Sequence, residues 1–358
     1  MLLASFFRLN GVIRSAFHFK SCPMNRTATA NFFINLLLIL FFFWLLLSIT
    51  SCKKEQASKK EEPPLSGNCA ATKAAAENLQ LFPADNLWNK DISASPVDPY
   101  NDGIIAQFAV TGLHNDFGSG TWDGAPIGIP YVVVCGNQST VNITYRSNGY
   151  DGNYGDESDS GPFPIPLTAP VEGNGNGDAH VIAVDIENKK LYELYNANVN
   201  GNTWEASSGA MFDLQSNALR TEGWTSADAA GLPIFPGLVR YDEVEKGVID
   251  HAIRFTLAKS LVKPSYIIPA RHKVNGTGGQ YGLPFGARLR LKNNFDISAY
   301  PARVQVILTA MKKYGIILAD IGSNLYITGA PDERWNNDEL SSLKNVKGSQ
   351  FEAVKFNN

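Results

Sequence analysis

Residues 32–49 read FFINLLLILFFFWLLLSI, an apolar run interrupted only by Asn35 and Ser48. A run of this length is either a helix long enough to cross a bilayer or the hydrophobic centre of an export signal. It divides the chain into a short leader and a long remainder with no second run of its kind, which excludes a polytopic membrane protein. Across its 358 residues the chain is 44% hydrophobic and 18% charged, a balance that supports a packed core rather than disorder. Residues 1–51 hold four basic residues (Arg8, Arg14, Lys20, Arg26) and no acidic one, so the remainder carries a net charge of −7. Such a remainder is a poor polyanion wrapper, and no nucleic-acid partner is expected. No G-x-G-x-x-G or P-loop follows a strand pattern, so no nucleotide cofactor is expected either.

Arg26 precedes the run and Thr50, Ser51 and Cys52 follow it, which is the layout of a signal peptide over residues 1–51. A start at Met24 would lead a basic segment directly into the apolar centre. An uncleaved anchor is the alternative reading. Ile49-Thr50-Ser51-Cys52 resembles the lipobox of bacterial outer-membrane lipoproteins. That resemblance implies lipid on the Cys52 sulfur and attachment to the outer membrane, on its periplasmic or surface-exposed face. Lys53, Lys54 and Glu55 then open a charged, Pro-containing stretch, so residues 52–67 read as a flexible tether. With Cys22 removed and Cys52 lipidated, Cys69 and Cys135 are the thiols left in an oxidising compartment. They are expected to pair as a disulfide, with two buried free thiols as the alternative.

Residues 68–358 show no repeat and no second linker, and read as one globular domain. Strand patterns recur along it, at residues 131–134, 141–146, 180–186, 191–195, 248–257, 266–268, 287–291, 326–328 and 351–356. Residues 131–134 and 141–146 are expected to pair with each other. Residues 187–190 form a turn signal between two strands. Helices are few. Residues 301–314 carry Val304, Ile307, Leu308 and Met311 as an apolar stripe with Gly315 as stop, and residues 102–110 and 338–343 are weaker candidates. The expected fold is therefore mainly β, a β-sandwich or barrel-like single domain with a few peripheral helices, with α+β as the alternative.

No motif here identifies a reaction, so candidate chemistry comes from residue types and local pattern. In residues 250–256, period-two alternation sets His251 with Ile253 and Phe255, and Arg254 on the opposite face. His180 shares a strand face with Ile182 and Val184, and His272 follows Arg271 after a strand. His180, His251 and His272 could converge as acid, base or metal ligands, although buried histidines bonded to backbone explain each singly. No zinc spacing is present and no metal is expected. Asp213 and Asp228 sit among apolar and aromatic neighbours, where burial would raise a carboxyl pKa, and Glu193 is a third choice. Two such groups across a cleft would serve a glycoside hydrolase. A lyase would instead neutralise a uronate with Arg254, Arg271 or Arg288 and abstract a proton with His251, His272 or a tyrosine.

Residues 151–159 and 172–178 alternate oxygen side chains with glycine and could hold calcium (Ca2+), with solvated turns as the alternative. Trp88, Trp122, Trp204, Trp224 and Trp335 lie in or beside Gly/Asn/Asp-rich connections, which suits either sugar stacking at a rim or the closing of a core under loops. Residues 224–243, 330–335 and 82–89 resemble segments of secreted bacterial proteins of no assigned activity. The resemblance implies one secreted domain and nothing about mechanism. Taken together, the expectation is an envelope lipoprotein acting on extracellular polysaccharide as hydrolase or lyase. The alternatives are a glycan-binding lipoprotein and a structural envelope protein.

Overall fold

The computed structural model describes residues 69–147 and 154–356. The apolar run, Cys52 and the tether lie outside the described residues. Within them are 17 strands and five α-helices, a mainly β fold whose sheets pack as a sandwich. Asn68–Asn358 cluster as one unit.

The larger sheet has six strands in the order His114–Asp116, Tyr326–Thr328, Ile253–Leu257, Ile316–Ile321, Arg288–Leu291, Phe351–Ala353. Ile253–Leu257 is buried at every position and runs parallel to Ile316–Ile321 but antiparallel to Tyr326–Thr328. Burial on both faces accounts for its lack of exposed alternation. The helix Ala302–Lys313 buries Val304, Ile307, Leu308 and Met311, the stripe legible in the sequence. Gly315 then turns the chain into Ile316–Ile321 at φ 73°, where a Cβ would stand 2.5 Å from the Leu289 carbonyl oxygen. Only glycine meets both conditions.

The second sheet has four strands, Ser208–Asp213, Lys190–Tyr195, Val181–Asp185 and Val132–Val134. Along Val181–Asp185 the side chains alternate between two cores. Ile182 and Val184 join the main core with Leu191, Phe212, Phe255 and Leu318, whereas Val181 and Ala183 join a smaller one with Phe163, Ile165 and Trp204. The hairpin turn into Lys190–Tyr195 is closed by Asp185, whose Oδ1 accepts from the N–H groups of Glu187 at 3.1 Å and Asn188 at 2.9 Å. The smaller core also takes in the three-stranded sheet Ile143–Tyr145, Thr203–Ala206, Asn198–Asn200.

Several local expectations change, among them the strand expected at residues 266–268, which runs over Val262–Tyr266 instead. Residues 131–134 and 141–146 do not form a ladder together: Val132–Val134 pairs with Val181–Asp185, and Ile143–Tyr145 with Thr203–Ala206, both in parallel. Val132, Val141 and Ile143 instead each pack against the smaller core. Residues 248–252 are not strand. They complete the exit from the helix Tyr241–Lys246, where Gly247 takes φ 88° and the Val248 N–H returns to the Glu243 carbonyl. Ile316–Ile321 is a strand that the pattern reading passes over. A disulfide joins Cys69 to Cys135 across a Cα–Cα distance of 6.0 Å, next to the edge strand Val132–Val134.

Candidate functional site

Arg254 lies on the face of Ile253–Leu257 that points away from Ile253 and Phe255, and it is buried. A buried guanidinium must be met by counter-charge and acceptors, and the fold delivers them from three segments. The first is the turn around Ser226, whose Oγ donates to the Leu232 carbonyl at 2.6 Å and accepts from the Asp228 N–H at 2.9 Å. This turn presents Asp228 to Arg254 in a fork: Nε to Oδ2 at 2.7 Å and Nη2 to Oδ1 at 3.0 Å. The second is Thr328 of the neighbouring strand, whose Oγ1 accepts from Nη1 at 3.3 Å.

The third is Asp320, and its arrival depends on a register shift. Phe255 pairs with Leu318 but Thr256 pairs with Asp320, so the bulge passes over Ala319 and turns Asp320 to the side of Arg254. Asp320 Oδ2 then lies 3.4 Å from the Nη2 that also serves Asp228. Burial, followed by the charges of Asp228 and Asp178, pushes the Asp320 carboxyl up to about 7 against the opposing pull of Arg254. Asp228 and Asp320 line a pocket of about 250 Å³ together with Asp178, Tyr154, Tyr195 and Thr225. The arrangement is a carboxylate locked in a two-point ion pair beside one that holds its proton near neutrality, the separation of roles that acid–base catalysis uses.

His180 stands behind this pocket with both ring nitrogens engaged, Nδ1 at 2.5 Å from Glu172 Oε2 and Nε2 at 3.0 Å from the Ala227 carbonyl. Two acceptors facing one imidazole favour the imidazolium. Burial opposes that charge, but Glu172 and Asp178 outweigh it and hold the His180 pKa up at about 9. Its contribution to stability is present in full below the unfolded value of about 6.5 and disappears as pH rises through about 9. The unfolding free energy from urea titration is therefore expected to fall between pH 7 and 9.5, by an amount on the order of 2 kcal/mol, and this fall should flatten in Glu172→Gln. An equal slope in that variant would remove the pair from the account.

His272 borders the same region. Its Nδ1 bonds the Ala229 carbonyl at 2.8 Å and its Nε2 lies 3.4 Å from Glu157 Oε2. Glu193 is fully buried, and its carboxylate accepts from the N–H groups of Ile234 and Phe235 at 2.9–3.0 Å, with burial pushing its pKa up to about 7. Its oxygens bind backbone, so it organises the loop after the pocket instead of lining it.

Several sequence-predicted residues are placed elsewhere. His251 does not meet His180 and His272: it packs with Arg240 and Glu243, Nδ1 bonded to the Ala252 carbonyl at 2.8 Å. Asp213 is not buried. Its side chain is 43% exposed and pairs with Lys190 at 2.7 Å, and that hydrogen bond lowers its pKa instead of raising it. Arg271 faces a different cleft, paired with Glu222. Trp204 and Trp335 are core residues, their indole N–H groups donating to the carbonyls of Ile165 and Ala330, so neither offers a face to a sugar. Trp122 is 79% exposed on the short hairpin Thr121–Trp122 and Ala125–Pro126, and Trp224 is half-buried beside Arg220. In the loop 172–178, Glu172 is turned inward to His180 rather than toward a cation, and part of the loop 151–159 lies outside the described residues. Among the described residues, the group of three side chains with metal-ligand proximity is Cys69, Cys135 and Glu187, whose sulfurs are joined to each other.

Pattern reading missed Asp320. The signal was present: an acid inside the apolar strand sequence IILADI has no reason to be there unless a buried cation meets it. In comparisons with known proteins, no family model, no curated protein and no solved structure matches this chain.

Proposed function

We propose that this chain is a glycan hydrolase of the bacterial outer membrane, anchored through lipid on Cys52 and acting on extracellular polysaccharide. The observation that carries the reading is the pair of carboxylates on one guanidinium at a pocket, Asp228 tied twice to Arg254 and Asp320 loosely held with its pKa near 7. In this reading Asp320 protonates the departing glycosidic oxygen. Asp178, an exposed carboxylate on the same pocket wall, takes the proton of the attacking water. Asp228 positions Arg254, which in turn sets the field around Asp320. At this pocket a lyase is disfavoured, because Arg254 already faces two carboxylates and has no uncompensated charge to offer a uronate.

The test is to incubate the chain with neutral and uronic-acid polysaccharides and weigh the products by mass spectrometry. Fragments carrying added water are expected. Fragments one water lighter would replace the hydrolase with a lyase. A panel left intact would favour a glycan-binding protein that uses Trp122 and Trp224.

A further inference from the structure

A large cleft lies apart from the Asp320 pocket and has the opposite electrical character. About 720 Å³ in volume, it is walled by Leu87, Ile267, Pro269 and Val354 and by four cations, Lys90, Arg271, Arg288 and Lys355. That volume falls within the range of small-ligand sites, about 300–1,000 Å³. Glu222 is the one acidic residue lining it and is held by Arg271 and by the Tyr266 hydroxyl, the latter at 2.6 Å. Among the described residues Lys90 and Lys355 form no ion pair, and both are exposed.

Arg288 is the telling member. It is buried on the strand Arg288–Leu291, and its guanidinium meets only neutral oxygens, the Tyr314 carbonyl at 3.2 Å and the Leu87 carbonyl. Burial alone draws its pKa down to about 10, since no carboxylate compensates it. Every other buried arginine of the six-stranded sheet has an acid: Arg254 has Asp228 and Arg290 has Glu352. A buried cation without a counter-ion at the wall of an open cleft, in a remainder of net charge −7, is a costly arrangement unless an anion completes it.

We propose that this cleft binds a ligand bearing oxyanions, carboxylate or sulfate, which supply the missing counter-charge for Arg288, Lys90 and Lys355. Tyr266 and Phe356, which also line it, provide aromatic surface for a ring that carries the anion. The ligand source is either an acidic sugar chain or a small inorganic anion. The cleft contains no histidine, and the Tyr266 hydroxyl is engaged by Glu222, so its role is binding. This inference stands apart from the hydrolase reading, because it is measured without turnover.

The experiment is calorimetric titration of the full chain with trigalacturonate, with maltotriose as neutral control and with inorganic sulfate. Trigalacturonate is expected to bind at low ionic strength and to weaken as salt is raised, while maltotriose does not bind the cleft. The double variant Lys90→Ala/Lys355→Ala alters exposed side chains only, so the fold is retained, and it is expected to lose about tenfold or more in affinity. Tighter binding of trigalacturonate than of sulfate assigns the anion to a sugar chain. Binding of sulfate alone assigns it to a free oxyanion. Absence of binding by both anions, or affinity unchanged in the double variant, overturns the proposal.

Discussion

Asp320→Asn is expected to lower turnover of a cleaved polysaccharide by about a hundred- to ten-thousandfold, the range associated with loss of a positioned acid. Asparagine keeps the shape of a protonated aspartic acid but has no acidic proton to give. The side chain is 22% exposed and its contact with Arg254 is the longest that guanidinium makes, so the fold should persist. Circular dichroism and the urea midpoint separate this outcome from unfolding. The pH profile provides a second check. A donor must be protonated to act, so the rate for the unaltered chain should fall as pH rises through about 7, where Asp320 loses its proton. Turnover unchanged in Asp320→Asn, or a rate that climbs through that range, would remove Asp320 from the chemistry.

Arg254→Ala is expected to destabilise the domain by about 3–5 kcal/mol, read as a drop in urea midpoint, because it leaves Asp228 buried with no counter-charge. Asp228 has no exposed side-chain surface through which water could replace the lost fork, and Thr328 loses its donor at the same time. The same argument fixes the sign of the coupling. Adding Asp228→Ala to Arg254→Ala removes the orphaned charge, so the double variant should be less destabilised than the two single losses added together. A loss under about 1 kcal/mol for Arg254→Ala would mean that the ion pair leaves the fold unsupported.

Local pattern made the helix Ala302–Lys313 and the hairpin around residues 187–190 legible, since a stripe with a glycine stop and a polar turn between two strands are decided within a few residues. Parallel pairings were not legible. Val132–Val134 finds its partner about fifty residues along the chain, and nothing in residues 141–146 points to their own distant partner Thr203–Ala206. The site divides in the same way. Period-two alternation does put Arg254 on the face opposite Ile253 and Phe255, and the apolar and aromatic neighbours of Asp228 mark it as a buried carboxylate. The acid in IILADI signals a buried cation, but which cation it meets depends on the bulge opposite Phe255 and Thr256, a feature of two strands at once that neither sequence carries alone. For the histidines the reading of buried rings bonded to backbone holds over convergence: His180, His251 and His272 each meet a backbone carbonyl, of Ala227, Ala252 and Ala229.

The bridge between Cys69 and Cys135 has a mechanical meaning. Tension applied through the segment that precedes Cys69 passes through sulfur directly to the edge of the four-stranded sheet. The 66-residue interval that the bridge closes, including the helix Lys73–Glu77 and the strand His114–Asp116, is thereby left outside the loaded path. A covalent short-circuit of this kind lets the domain be pulled from its front end without paying out chain.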